Sequence, residues 1–200
     1  MHEPVLESLQ QAGIETEIFD QIQPEPHIEG MEQAAQAVRS NAFDGVIGMG
    51  GGSALDTAKT ASVLAVAKGE TTMSLIQHPE RMSDRLPTIL LSTTSGTGSE
   101  VSPFAVTSTE EKKMFLNSPY LYASVALVDP ILTASMPAKV TAATGLDALT
   151  HGVEGVCGKT NPFTLALTRQ CAALVFRSLK RAVEDGTDLQ ARYDLSLIHI

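Results

Sequence analysis

Val5, Leu6, Leu9 and Ala12 recur at helical spacing and end on Gly13, which predicts an opening helix closed by a glycine cap. Residues 14–19 then alternate Ile14, Thr16 and Ile18 with Glu15 and Glu17, the pattern of a short, half-exposed strand, before the Pro24-Glu25-Pro26 turn. Ile28, Met31, Ala34, Ala35 and Val38 return to a period near 3.6, and residues 44–49 form an apolar run bounded by glycines. Helix and then buried strand follow. The alternation continues with a helix over 53–67 and strands over 88–92 and 124–128, the last closed by Asp129-Pro130. Strands alternating with helices at this spacing predict an α/β fold with a parallel sheet covered on both faces. Such a sheet starts on a strand, so a leading strand is expected before the first helix. Beyond Pro137 the strand signals stop, and residues 138–156 and 162–184 read as helices, the second opened by Asn161-Pro162 and closed by Asp185-Gly186. Two units are therefore expected, 1–136 and 137–200, with the terminal 195–200 stretch outside the helical pattern.

Composition narrows what such a chain can bind. Its 200 residues are 43% hydrophobic, enough for a substantial core, and 14 basic against 23 acidic residues give a net charge of -9 with no compensating Lys/Arg cluster. Nucleic acid and anionic membranes are excluded as natural partners. No segment is apolar over the roughly 20 residues that cross a bilayer. The two cysteines, Cys157 and Cys171, have neither CxxC spacing nor disulfide density, which suits a reducing, cytoplasmic setting.

Three segments carry candidate chemistry. Gly48-Met49-Gly50-Gly51-Gly52-Ser53 leaves a buried strand and enters a helix. Glycines let backbone approach a ligand closely, and the free N–H groups and positive end of the helix favour a phosphate. Lys59 lies too deep in that helix for a Walker A loop. The purely structural alternative is a tight turn with Ser53 as helix cap and Asp56 completing a capping-box-like pair, leaving Asp56 and Lys59 as local helix structure. The second segment, Ser92-Thr93-Thr94-Ser95-Gly96-Thr97-Gly98-Ser99-Glu100, follows a strand at the edge where open parallel sheets bind ligands, and is otherwise a polar surface turn. In the third, Asp147 and His151 stand four residues apart on one helix face, where they either share a first-row metal ion or form an ordinary surface pair.

In this order, GMGGGSALDTAK, STTSGTGSE, ALVDP and ATGLDALTHGVE resemble the iron-containing, group III alcohol dehydrogenase family over residues 14–184. The Gly-rich turn alone also fits the glycerol dehydrogenase and dehydroquinate synthase relatives, and the GLDALTH helix points to the iron-containing branch. The resemblance implies a Rossmann-like N-terminal domain for NAD or NADP, incomplete at its start, then the beginning of an all-helical domain, with Fe2+ or Zn2+ in the cleft between them. Carried over by motif, Gly51, Gly52 and Ser53 hold the pyrophosphate, Thr93, Thr94 and Thr97 contact the cofactor, and Asp147 and His151 are metal ligands. Lys113 matches a family lysine near the nicotinamide ribose, and Glu25 stands where some members carry Asn. The implied reaction moves a hydride between NAD(P) and a small alcohol or aldehyde, in a protein that forms homo-oligomers at full length.

Some expectations follow from departures. The family's two further metal-binding histidines lie beyond His151, His199 does not replace them, and the position that discriminates NAD from NADP precedes this sequence. The chain alone is expected to be inactive. Glu154, His78 and His2 read as exposed or structural, so no residue is assigned as general acid or base. Two other readings use the same residues: a metal enzyme of the dehydroquinate synthase or glycerol dehydrogenase type, and a non-catalytic nucleotide-binding module.

Overall fold

A computed structural model describes residues 2–158, 161–196 and 198. The chain opens with α1 (Glu3–Gln11), α2 (Ile28–Asn41), β1 (Val46–Gly50), α3 (Gly52–Val66) and α4 (Thr72–Gln77). It continues through β2 (Thr88–Ser92), β3 (Phe104–Ser108), β4 (Lys113–Asn117) and β5 (Val125–Leu127), then α5 (Ala138–Cys157), α6 (Pro162–Glu184) and α7 (Leu189–Ser196). Strands β1, β2 and β5 form a parallel sheet in that order, so the class is α/β, as the alternation of elements predicts. The register pairs Gly50 with Ser92, which brings the ends of β1 and β2 level at one sheet edge.

The first helix closes as expected. Gly13 takes the left-handed conformation at φ 72°, its N–H donates to the Gln10 carbonyl, and the next N–H, of Ile14, reaches back to Leu9 at 3.0 Å. Both bonds satisfy end carbonyls of the helix. The strand expected over 14–19 does not form: Ile14 and Ile18 are more than half exposed, and no described strand pairs with the segment to satisfy its backbone groups. Nor is the sheet covered on both faces among the described residues. Helix α3 packs one face through Leu55, Ala58 and Leu90, whereas Ile47, Val125 and Leu127 on the other are exposed and α1 buries none of its residues.

Strands β3 and β4, which the strand expectations above do not include, form an antiparallel hairpin. Ala105 and Leu116 face inward and join Ala61, Leu64, Leu75 and Leu121 in the larger core, while Phe104 and Phe115 meet edge to face on the outside with centroids 6.0 Å apart. The helical part has a core of its own, built from Ala148, Leu174, Val175, Ala182, Ala191, Leu195 and Ile198. The terminal segment is thus part of the fold: α7 runs through Ser196, and Leu195 and Ile198 are buried. His199 lies outside the described residues. The fully buried Arg192 ties α7 to α5 and to the preceding turn, donating to Thr141 Oγ1 at 2.8 Å and to the Met136 carbonyl at 3.2 Å.

At the centre of the α/β part, every residue of α3 from Leu55 to Leu64 is buried, including Asp56 and Lys59. Lys59 Nζ stands 3.1 Å from Asp56 Oδ1 and donates to the carbonyls of Ser99, at 2.8 Å, and Phe104. Asp56 accepts from Ser99 Oγ at 2.6 Å and from the Val106 N–H at 3.0 Å. The pair binds helix, loop and hairpin together. Removing one member leaves the other charge buried and unmatched, so Asp56→Ala is expected to lower unfolding free energy by about 3–5 kcal/mol in denaturant titration; a loss below about 1 kcal/mol contradicts this role.

Candidate nucleotide seat and metal helix

The Gly-rich turn follows from the register of β1. Gly51 is the N-cap of α3 in extended conformation, and no side chain caps the helix. This corrects the reading of Ser53 as cap: Ser53 is the second residue of the helix, two past the cap, and its carbonyl accepts from Thr57 Oγ1. The α3 terminus is therefore open to an external anion, with its dipole positive at that end.

The hydroxyl-rich loop leaves β2 beside this turn, held by the Thr93 N–H donating to the Gly50 carbonyl at 2.8 Å. Thr94 and Thr97 face the two glycines directly. A side chain at Gly51 would stand 3.3 Å from Thr94 Cγ2 and Oγ1, and one at Gly52 would stand 3.3 Å from Thr97 Cγ2. The loop is thus more than a surface turn. Thr94 Oγ1 is buried with no hydrogen-bond partner among the described residues, a cost the fold bears unless something bonds it. A cradle that a Cβ would fill, an uncapped helix and an orphaned hydroxyl fit a bound phosphate.

Asp147 and His151 project from α5, both exposed. The opposite face of the helix packs closely on α6: a side chain at Gly145 would overlap Leu179, and one at Gly152 would stand 3.1 Å from Cys171 Sγ. An Asp oxygen and a His nitrogen on one helix face are a donor set that fits Fe2+ or Zn2+. No group of three or more His, Cys, Asp or Glu that could hold a metal exists among the described residues. Helix α5 also reaches the hydroxyl loop, since Gly96 abuts the carbonyl of Thr144.

Lys113 stands on β4 with a different partner. Its ammonium pairs with Glu25 Oε1 at 2.7 Å, and this contact holds the exposed Glu25 carboxyl below its usual range. Glu25 itself sits at φ 55°, a left-handed backbone that favours glycine or asparagine. Three features escaped the sequence reading: the loop-binding role of Asp56 and Lys59, the burial of Glu100, and the contact made by Gly96. The first had a signal. In SALDTAKTASVLA an acid and a base stand three apart as the only charged residues.

Comparison with known proteins now settles the class. The family model described as iron-containing alcohol dehydrogenase matches residues 1–130, and that of the Fe-containing alcohol dehydrogenase family, C-terminal, matches residues 141–199. The chain belongs to the iron-containing alcohol dehydrogenase family. It is 46% identical over 195 residues to long-chain-alcohol dehydrogenase 1 of Geobacillus thermodenitrificans, covering 96% of this chain and 49% of that protein. To the 1,3-propanediol dehydrogenase of Klebsiella pneumoniae it is 38% identical over 201 residues, covering 96% and 50%. The chain spans about half the length of the curated relatives it matches. Among solved structures, sulfoacetaldehyde reductase from Bifidobacterium kashiwanohense in complex with NAD+ superposes with a TM-score of 0.90 at 33% identity, over 98% of this chain and 55% of the other.

Glu100 is 5% exposed, and its Oε2 is buried without a partner among the described residues. Burial pushes its carboxyl above the usual range, opposed by its own backbone N–H and by the charge of Lys59. The unfolded chain therefore releases this proton at lower pH than the folded one. Between those two values the folded state binds more protons, so this group's contribution to stability falls as pH rises. Glu100→Gln is expected to remove that fall, giving a flatter stability profile from pH 4.5 upward by thermal unfolding; parallel profiles for the two proteins would contradict the assignment.

Proposed function

We propose that this chain is the nucleotide-binding unit, residues 1–136, and the start of the metal-binding unit, residues 137–200, of an NAD(P)-dependent, metal-assisted alcohol dehydrogenase. The observation that carries the reading is the level ending of β1 and β2, which sets the open terminus of α3 against the unpartnered hydroxyl of Thr94. Backbone N–H groups of Gly51, Gly52 and Ser53 hold the pyrophosphate, and Thr93, Thr94 and Thr97 donate to the nucleotide. Lys113 turns towards the ribose, and in doing so exchanges the carboxylate of Glu25 for ligand oxygens. Asp147 and His151 supply two ligands to Fe2+ or Zn2+.

The dinucleotide supplies the hydride acceptor, and the metal supplies Lewis acidity towards the substrate oxygen. The residues of this chain orient both and keep their separation fixed. A small alcohol or aldehyde is the substrate class. The names of the relatives support that breadth, covering a long-chain alcohol, choline, sulfoacetaldehyde and 1,3-propanediol. No helix of the described residues is long and apolar enough to cross a membrane. A cytoplasmic homo-oligomer at full length completes the reading.

The deciding experiment combines metal analysis with turnover in the full-length protein. It is expected to retain iron or zinc and to form NADH or NADPH from primary alcohols, while Asp147→Ala and His151→Ala lose the metal and at least about 100-fold in kcat. Gly52→Ala is expected to weaken nucleotide binding about tenfold by crowding the anion seat. The 200-residue chain alone is expected to show no turnover. A protein that purifies without metal and keeps its activity through chelation rules the reading out.

A further inference from the structure

Four residues of the hydroxyl loop, Thr94 to Thr97, touch both halves of the proposed site. On one side Thr94 and Thr97 press on Gly51 and Gly52. On the other, Gly96 is buried against α5 at φ 109°: a methyl there would overlap the Thr144 carbonyl oxygen and lie 2.8 Å from its carbon and 3.5 Å from Ala148 Cβ. Thr144 and Ala148 bracket Asp147. The loop cannot retreat freely, because it is tied at its start by Thr93 to Gly50 and at its end by Ser99 to Asp56 and Lys59. It acts as a spacer of fixed thickness between the Gly-rich turn and the helix that carries Asp147 and His151.

We propose that Gly96 is a positioning residue, whose lack of a side chain sets the distance between the nucleotide and the metal ligands; this rests on the dehydrogenase reading above. A backbone atom of α5 occupies the place of a Cβ, and a helix backbone has no rotamer with which to yield. Any side chain at 96 therefore drives α5 away from the turn by about the difference between overlap and van der Waals contact, on the order of 1 Å. Displacements of that size cost catalysis about 100-fold when they separate reacting groups. Nucleotide and metal each keep their own ligands, so binding of either alone is little changed. The signature is a loss confined to the step in which the two must meet.

The test is Gly96→Ala in the full-length protein, with NADH affinity by fluorescence, bound metal by elemental analysis, and steady-state kinetics with ordinary and α-deuterated alcohol. Expected are NADH affinity within about threefold and metal content unchanged, kcat lower by about 10- to 100-fold, and a larger deuterium isotope effect, because misplaced hydride transfer becomes rate-limiting. Gly69→Ala, also at positive φ but with nothing within 4 Å of the new methyl, controls for backbone strain and is expected to leave kcat and the isotope effect as they were. Unchanged kcat in Gly96→Ala, or loss of NADH affinity with kcat at saturation retained, overturns the proposal and leaves the dehydrogenase reading standing. A wild-type protein that binds neither dinucleotide nor metal overturns both. If Gly96→Ala does not fold, Ala148→Gly removes the α5 methyl facing the same point: a lower kcat with NADH affinity and metal kept supports the spacer, and unchanged kcat overturns it.

Discussion

The architecture depends on an ion pair that water does not reach. Lys59 and Asp56 sit inside a helix that is buried all round, where isolated charges are strongly unfavourable. What makes the pair tolerable is its set of partners: two carbonyls for the ammonium, and a hydroxyl and an N–H for the carboxylate, all from outside α3. Such a pair is a poor source of net stability but a strong source of specificity, since misplacing the loop or hairpin would strand a charge. The loop over the nucleotide turn is therefore held by electrostatics at one end and by strand register at the other.

This arrangement relates fold to chemistry. Parallel strands of matched length deliver two loops to one edge, and the helix that follows the first contributes a terminus with no side-chain cap. The second loop contributes hydroxyl groups, of which Thr94 Oγ1 and Ser95 Oγ have no hydrogen-bond partner among the described residues. Helix α5 belongs to a separate core, yet it touches the second loop backbone to backbone. The spacing between the Gly-rich turn and α5 is thus carried by main chain, the least deformable part of the molecule.

Much of this was legible from periodicity. Residues 88–92 and 162–184 are bounded as observed, because β2 is a largely buried apolar run and α6 buries one regular face between residues suited to termini. Where pattern and burial parted, the reading failed. The hairpin turns Phe104, Val106 and Phe115 outward, and β3 buries only the small or polar Ala105, Thr107 and Ser108, an inversion of the usual alternation on that strand. Helix α7 hides Arg192 and Asp194 where an amphipathic pattern calls for apolar residues, each satisfied by partners far off in sequence. The 14–19 segment alternates correctly but has no neighbour among the described strands. At the candidate site, motifs singled out Gly51 to Ser53, Asp147 and His151 as expectations, whereas the burial of Glu100 and the contact of Gly96 arise only from tertiary approach.

The glycines on the buried face of α5 have a consequence for the opposite face. Because Leu179 fills the space beside Gly145 and Cys171 lies against Gly152, rotation of the helix about its axis would bring larger side chains into collision with α6. The heading of Asp147 and His151 is consequently set by packing on the side away from them. Transplanting the two donors into a foreign helix without its notched back would carry over the chemistry and lose the aim.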